Sequence, residues 1–201
     1  MRTPGWTSRC VSGANRGGAR QCFQRKGFIL HILFVCTGNI CRSPIAERLA
    51  TAYAAQEQIA DLTASSAGTR AVIGHPMHAN AALVLESLGG DSSGFSARQL
   101  TSRIASDADL VLTMTRAQRE TVLEHAPNQI QRTFTLGEAE QLASTFNATS
   151  VAELAICRPR LAAHEFSDVP DPIGHGPGVF ATIGSQISDL LLPVLELCRG
   201  Q

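Results

Sequence analysis

The stretch Phe28-Ile-Leu-His-Ile-Leu-Phe-Val-Cys-Thr-Gly-Asn-Ile-Cys-Arg-Ser-Pro-Ile-Ala-Glu-Arg48 decides how the rest of the chain is read. Ile29 to Val35 is an apolar run with the length and β-branched content of a buried strand. It stops at Cys36, Thr37, Gly38 and Asn39, where Gly and Asn tolerate the left-handed backbone of a tight loop. Ser43 suits a helix N-cap and Pro44 the first helical position. A strand, a tight loop and a helix start pointing back at that loop together gather backbone N–H groups and the positive end of a helix dipole around one point. Such a corner binds an anion.

Two side chains make the anion site a candidate reaction centre. Cys36 opens the loop and Arg42 closes it. Amides, guanidinium and helix end all favour a thiolate, the nucleophilic form of cysteine. Arg42 offers a planar fork for two oxygens of a phosphoryl group. Ser43 is placed to donate its hydroxyl to the sulphur and improve it as a leaving group. The Cys-x5-Arg spacing alone carries little, since about 0.5 matches are expected by chance in such a composition. Cys10 and Arg16 repeat it without a preceding strand or a following Ser-Pro. The informative unit is the whole string in its strand–loop–helix setting.

Val35 to Pro44 resembles the phosphate loop of the low-molecular-weight protein tyrosine phosphatases, and the order of elements extends the resemblance over roughly residues 31–198. The resemblance implies phosphomonoester hydrolysis without metal or cofactor, through a phosphocysteine on Cys36. Thr37, Gly38, Asn39, Ile40, Cys41, Arg42 and Ser43 would form the phosphate cradle. It also implies a phosphorylated protein as the partner, phosphotyrosine foremost.

Around this corner, strands are expected at 29–35, 62–66, 109–114 and 132–136. Helices are expected at 44–58, 78–88, 116–125, 138–144, 150–163 and 178–198, with a helical turn at 101–106. Pro193 should bend the last helix near its end. Strands alternating with helices predict an α/β fold, a small doubly wound four-stranded parallel sheet with helices on both faces. The resemblance implies the flavodoxin-like order 2-1-3-4. Ligands of such sheets bind beyond the carboxyl ends of the strands beside strand 1, where Cys36 falls.

A thiolate attacking phosphate expels an alcohol, phenol or guanidine, which needs a proton donor. Asp171-Pro172, just before the last helix, matches the family's Asp-Pro general-acid motif. Asp168 is the fallback, and a plain turn aspartate is the bland reading of either. Asn39 is expected to bond within the loop. Cys41 reads equally as a redox partner for Cys36 and as a small buried apolar residue. His75 and His78 read as surface or helix-start residues.

Many tyrosine-directed members of the family carry cleft aromatics after strand 2 and after the Asp-Pro. Here residues 68–75 contain none, and Ile173, Gly174 and His175 follow Pro172. Contact with a phenyl ring then falls to Ile40 and Ile173, with His175 nearby. Phosphoarginine phosphatases of the family carry Thr where Ile40 stands, so Ile40 favours an aromatic leaving group. Arsenate reductases of this fold use a relay of closely spaced cysteines, whereas Cys157 and Cys198 lie far apart in sequence. A non-catalytic anion-binding module has no use for a carboxylate beside a dianion, so Asp171 argues against it.

The chain of 201 residues has zero formal net charge, unevenly spread. Residues 1–27 hold six basic residues and no acid, leaving 11 basic and 17 acidic residues in the rest, a net −6. An acidic body argues against nucleic acid as the partner. The basic segment is expected to be disordered, with 28–201 as the phosphatase domain. Its composition fits a transit peptide superficially, and equally a stretch preceding a domain start near Ile29. Cysteines at 10, 22, 36, 41, 157 and 198 have neither zinc nor disulfide-framework spacing. No stretch was expected to be apolar enough for a membrane span. A reactive thiol needs a reducing compartment, so the expected location is the cytoplasm.

Overall fold

The structure, a computed structural model, describes residues 29–162 and 166–199. The expectation for residues 1–27 falls outside this range. Four strands form one parallel sheet in the order β2-β1-β3-β4, with β1 Leu30–Cys36, β2 Leu62–Gly68, β3 Leu110–Thr113 and β4 Thr133–Thr135. Seven α-helices accompany them among the described residues: α1 Arg42–Gln56, α2 Ala79–Ser87, α3 Ser102–Ser106, α4 Arg116–His125, α5 Leu136–Phe146, α6 Val151–Cys157 and α7 Pro177–Cys198.

The near-continuous apolar reading of β1 follows from burial on both faces. Leu30, Ile32 and Phe34 join Leu110, Leu112 and Phe134 under α1, α5 and α7, while Leu33, Val35 and Val111 pack against residues of α3 and α4. β1 pairs β2 on one side and β3 on the other, and Cys36 stands opposite Gly68 at the carboxyl end. The loop after β1 therefore leaves the sheet at its centre, flanked by the segments that follow β2 and β3.

Three expectations change. α1 starts at Arg42 with Cys41 at its N-cap and no side-chain cap, so Ser43 is not the cap and Pro44 is not the first helical residue. The hydroxyl of Ser43 is engaged with Cys36 and Asn39 instead. The helix expected over 150–163 stops at Cys157, passes into a short 3-10 turn at Arg158–Arg160, and its last residue lies outside the described range. α7 is, by length and composition, apolar enough to cross a bilayer, contrary to the sequence expectation. It packs against α1, α2 and α5 and buries Phe180, Ile183, Ile187, Leu191, Val194 and Leu195. It runs on through Pro193 as one helix.

The β4–α5 corner is held by ions. Buried Glu138 accepts from Arg119 at 2.9 Å and forms an ion pair with Arg158 at 3.0 Å, and the Arg158 guanidinium lies 3.9 Å over the Phe134 ring. This ties α4, β4 and the end of α6 together behind the site.

Candidate active site

Residues 37–41 turn back on themselves at the end of β1, and their carbonyl groups are spent on neighbours. The Cys36, Thr37, Gly38 and Ile40 carbonyls accept from the N–H groups of Thr69, Arg70, Val72 and His78 at 2.8 to 3.0 Å. With the carbonyls drawn outward, the loop amides are left to converge on the cysteine. The amide of Asn39 donates to Cys36 Sγ at 3.3 Å, and those of Gly38, Ile40 and Cys41 have no backbone partner among the described residues. The orphan N–H groups of the first turn of α1 add to the same point. The early start of α1 brings Arg42 and Ser43 into that turn.

Asn39 closes the loop. It sits at φ +55°, the left-handed conformation foreseen for it, and is wholly buried. Its Nδ2 donates to Ser43 Oγ at 3.0 Å and Ser66 Oγ at 2.8 Å, while its Oδ1 accepts from the Arg98 amide at 2.9 Å. Ser66 in turn donates to Glu47 Oε2 at 2.5 Å. Ser43 Oγ lies 2.9 Å from Cys36 Sγ. A hydrogen-bonded chain thus runs from the sulphur through Ser43, Asn39 and Ser66 to Glu47. Charge on the sulphur is met by a hydroxyl and an amide, which suits a thiolate both as nucleophile and as leaving group.

Arg42 is buried yet not idle. Its Nη1 donates to the Val169 carbonyl at 3.1 Å, and its Nη2 pairs with Asp171 Oδ2. Nε has no hydrogen-bond partner among the described residues. Nε and Nη2 share the edge of the guanidinium opposite the Val169 anchor, the edge used in bidentate contact with two oxygens. Val169 is itself fixed, since its amide donates to the Met114 carbonyl at 2.8 Å. The segment 168–171 therefore hangs from the end of β3 and carries Asp171 over the loop.

The two candidate acids separate. Asp171 reaches Arg42 with one oxygen and accepts the Ile173 amide with the other at 3.2 Å, and half of its side chain is exposed to the cleft. Asp168 points elsewhere: its Oδ1 accepts the Arg116 amide at 3.0 Å, at the start of α4, with the Arg116 guanidinium 3.9 Å away. Cys41 is buried, and that burial pushes its thiol up to about 12, the charges at Cys36 and Asp171 adding to the effect. It therefore remains a thiol through the neutral range. His78 caps α2, its Nδ1 accepting from the Asn80 amide at 3.2 Å, and stacks on Phe180. His75 lies exposed in the preceding turn.

The cleft above Cys36 is a cavity of about 420 Å³ lined by Ile40, Val72 and Ile173 together with the loop, Arg42 and Asp171. Ile40 and Ile173 were foreseen as its apolar wall and Val72 was not. Gln118 was also missed. Its Nε2 donates to Thr37 Oγ1 at 3.0 Å while its Oε1 accepts the amides of Met114 and Thr115, so α4 braces the loop. A Thr-x-x-Gln capping box beginning at Thr115 is the local signal that could have pointed to it.

Gly68 sets how closely the strap after β2 can approach. A Cβ there would stand 2.6 Å from the Thr37 carbonyl oxygen and 3.0 Å from Ala71. Gly68→Ala should push residues 69–72 off the loop, costing about 1–3 kcal/mol of stability. Denaturant midpoints measure that cost, and kcat/KM for an aryl phosphate should fall alongside. Unchanged stability and rate would mean that the strap is not what shapes the loop.

Converging amides, a cysteine sulphur, a buried guanidinium and a carboxylate at the mouth form a site suited to phosphoryl groups. Comparison with known proteins agrees. The sequence model of the low molecular weight phosphotyrosine protein phosphatases matches residues 31–145. A probable low molecular weight protein-tyrosine-phosphatase, EpsP of Ralstonia nicotianae, is 39% identical over 110 residues, 55% of this chain and 72% of that one. The crystal structure of a low molecular weight protein tyrosine phosphatase from T. tengcongensis superposes with a TM-score of 0.67 at 30% identity, covering 83% of this chain and 98% of that one. The YwlE arginine phosphatase from Geobacillus stearothermophilus superposes with a TM-score of 0.65 at 28% identity, covering 83% and 91%. The chain belongs to the low molecular weight phosphotyrosine protein phosphatase family, and it is a phosphatase. The family match ends before Asp171, so that residue is placed here by its contacts with Arg42 and Ile173.

Proposed function

We propose that the protein hydrolyses phosphotyrosine in protein substrates through a phosphocysteine on Cys36, with Asp171 as general acid and then general base. The observation that carries this reading is the Asp171 carboxylate held on Arg42 at the mouth of a cleft that Ile40, Val72 and Ile173 line together with Arg70. In the first step Cys36 Sγ forms a bond to phosphorus as the bond to the leaving oxygen breaks, and protonated Asp171 gives that oxygen its proton. In the second step Asp171 takes a proton from water, the water oxygen attacks phosphorus and the S–P bond breaks. The thiolate is received by the Ser43 hydroxyl and the Asn39 amide, and inorganic phosphate leaves. Through both steps Arg42 and the loop amides hold the equatorial oxygens. No step calls for a metal.

Ile40, Val72 and Ile173 offer a phenyl ring apolar surface and bring no acceptor for a guanidinium, which leaves the Asp171 carboxylate as the acidic group of the cleft. This supports phosphotyrosine over phosphoarginine. A cytoplasmic location suits a free nucleophilic thiol, and Cys41 is available as its redox partner or as a simple core residue. The test is turnover on matched phosphotyrosine, phosphoserine and phosphoarginine peptides, with arsenate reduction as a fourth assay. Phosphotyrosine should be preferred. A preference for phosphoarginine or for arsenate would overturn the substrate assignment while leaving the loop chemistry in place.

Asp171→Asn should lower kcat by about 10²–10⁴ on alkyl or phenyl phosphates and much less on esters with very acidic leaving groups. Equal losses across leaving groups, or none, would remove Asp171 from the acid role and return it to Asp168.

A further inference from the structure

A second cavity, of about 510 Å³, adjoins the catalytic cleft on the side of α4. Thr37, Arg42, Arg70 and Asp171 line both cavities, so the two meet at a ridge formed by these residues. Beyond the ridge the second cavity is walled by Thr69, Thr115, Gln118 and Thr121 with Asp168 and Pro170. The proposed hydrolysis does not use this space.

Its charges are mostly spent. Asp171 is paired with Arg42, and Asp168 accepts the Arg116 amide beside the Arg116 guanidinium. Arg70 differs: its side chain is exposed and has no ion pair or hydrogen bond among the described residues. Its backbone, by contrast, is fixed. The Arg70 amide donates to the Thr37 carbonyl at 2.9 Å, and the side-chain amide of Gln99 clamps both neighbours, donating to the Thr69 carbonyl and accepting from the Ala71 amide, each at 2.9 Å. An unspent cation on a braced backbone, standing between the cleft and an adjoining polar cavity, is built to meet an anion on the substrate away from the reacting phosphate.

We propose that Arg70 and the second cavity form a subsite for an acidic side chain flanking the phosphorylated residue, so that the preferred substrates are phosphopeptides with a nearby carboxylate. The inference rests on the phosphotyrosine reading above and adds to it a sequence preference. It is a local exception on a body that is net acidic over residues 28–201 and so repels acidic peptides at long range. Selectivity must then come from the short-range contact at Arg70. Because that contact is exposed, its effect is expected to be about two- to fivefold at low salt and smaller at high salt.

The experiment is steady-state kinetics of the wild type, Arg70→Gln and Arg70→Lys on phosphotyrosyl peptides. Glu is moved through each flanking position and compared with Gln at the same place. The wild type should favour Glu over Gln at one or more positions through a lower KM with kcat unchanged. Arg70→Gln should erase the ratio and Arg70→Lys should keep most of it. Equal turnover of all peptides by the wild type, or a preference that survives in Arg70→Gln, would overturn the subsite alone. Failure of the wild type to turn over any phosphotyrosyl peptide would overturn the substrate reading and the subsite with it.

Discussion

Cys36→Ser is expected to abolish turnover, by about 10⁴-fold or more, while phosphate or vanadate still binds. The substitution exchanges one atom at a buried position, so the fold has little reason to change. What it removes is a nucleophile that the surroundings are arranged to serve, with the Ser43 hydroxyl at 2.9 Å and the Asn39 amide at 3.3 Å. A serine hydroxyl at the same place is a far weaker nucleophile than a thiolate. Asp171 is turned towards Arg42. Binding survives because the amides, Arg42 and the first turn of α1 are untouched. Phosphate affinity by calorimetry and kcat on an aryl phosphate separate the two effects. A variant that keeps appreciable turnover would show that another group attacks phosphorus.

Arg42→Lys should lower kcat by about 10²–10³-fold even though the charge is kept. The guanidinium works by its shape. Nη1 is anchored on the Val169 carbonyl, which leaves the opposite edge to meet two oxygens of the transferring group and holds Asp171 over the mouth. An ammonium can meet one of these demands at a time. Val169 would lose its partner as well, and with it part of what fixes segment 168–171, so the loss should appear in kcat rather than in KM alone. Kinetics on a good and a poor leaving group would measure it. A rate within a few-fold of the wild type would reduce Arg42 to a simple counter-charge.

Much of this was legible from residues 28–48 because the chemistry and the local backbone there share one string. The apolar run, Gly38 with Asn39, and Arg42 each have a short-range reason to be where they are. Asn39 was read as a loop-bonding residue, and the structure gives it four hydrogen bonds, counting its amide to Cys36. The parallel α/β sheet followed from alternation of period and length, and its order 2-1-3-4 from the family resemblance. The start of α1 was misread because Ser43-Pro44 is a strong capping signal in isolation. The stronger demand on that hydroxyl came from a sulphur seven residues earlier. Ser66, Arg98 and Gln99 could not be read at all, and for Gln118 the capping box at Thr115 marks a helix start but not the bond to Thr37. Each is a single polar residue whose partner lies far along the chain, brought beside the loop only because β2 and β3 flank β1. Val72 belongs with them, since its place in the cleft depends on how tightly Gly68 lets the strap lie against Thr37.

The claim on which the account depends most is that phosphate passes through Cys36. Acid-quenching the wild-type enzyme during turnover of an aryl phosphate, followed by peptide mapping by mass spectrometry, tests it directly. One phosphoryl group should appear on the peptide containing Cys36. Phosphorylation of a different residue in the wild type, or steady turnover with Cys36 never labelled, would contradict the account.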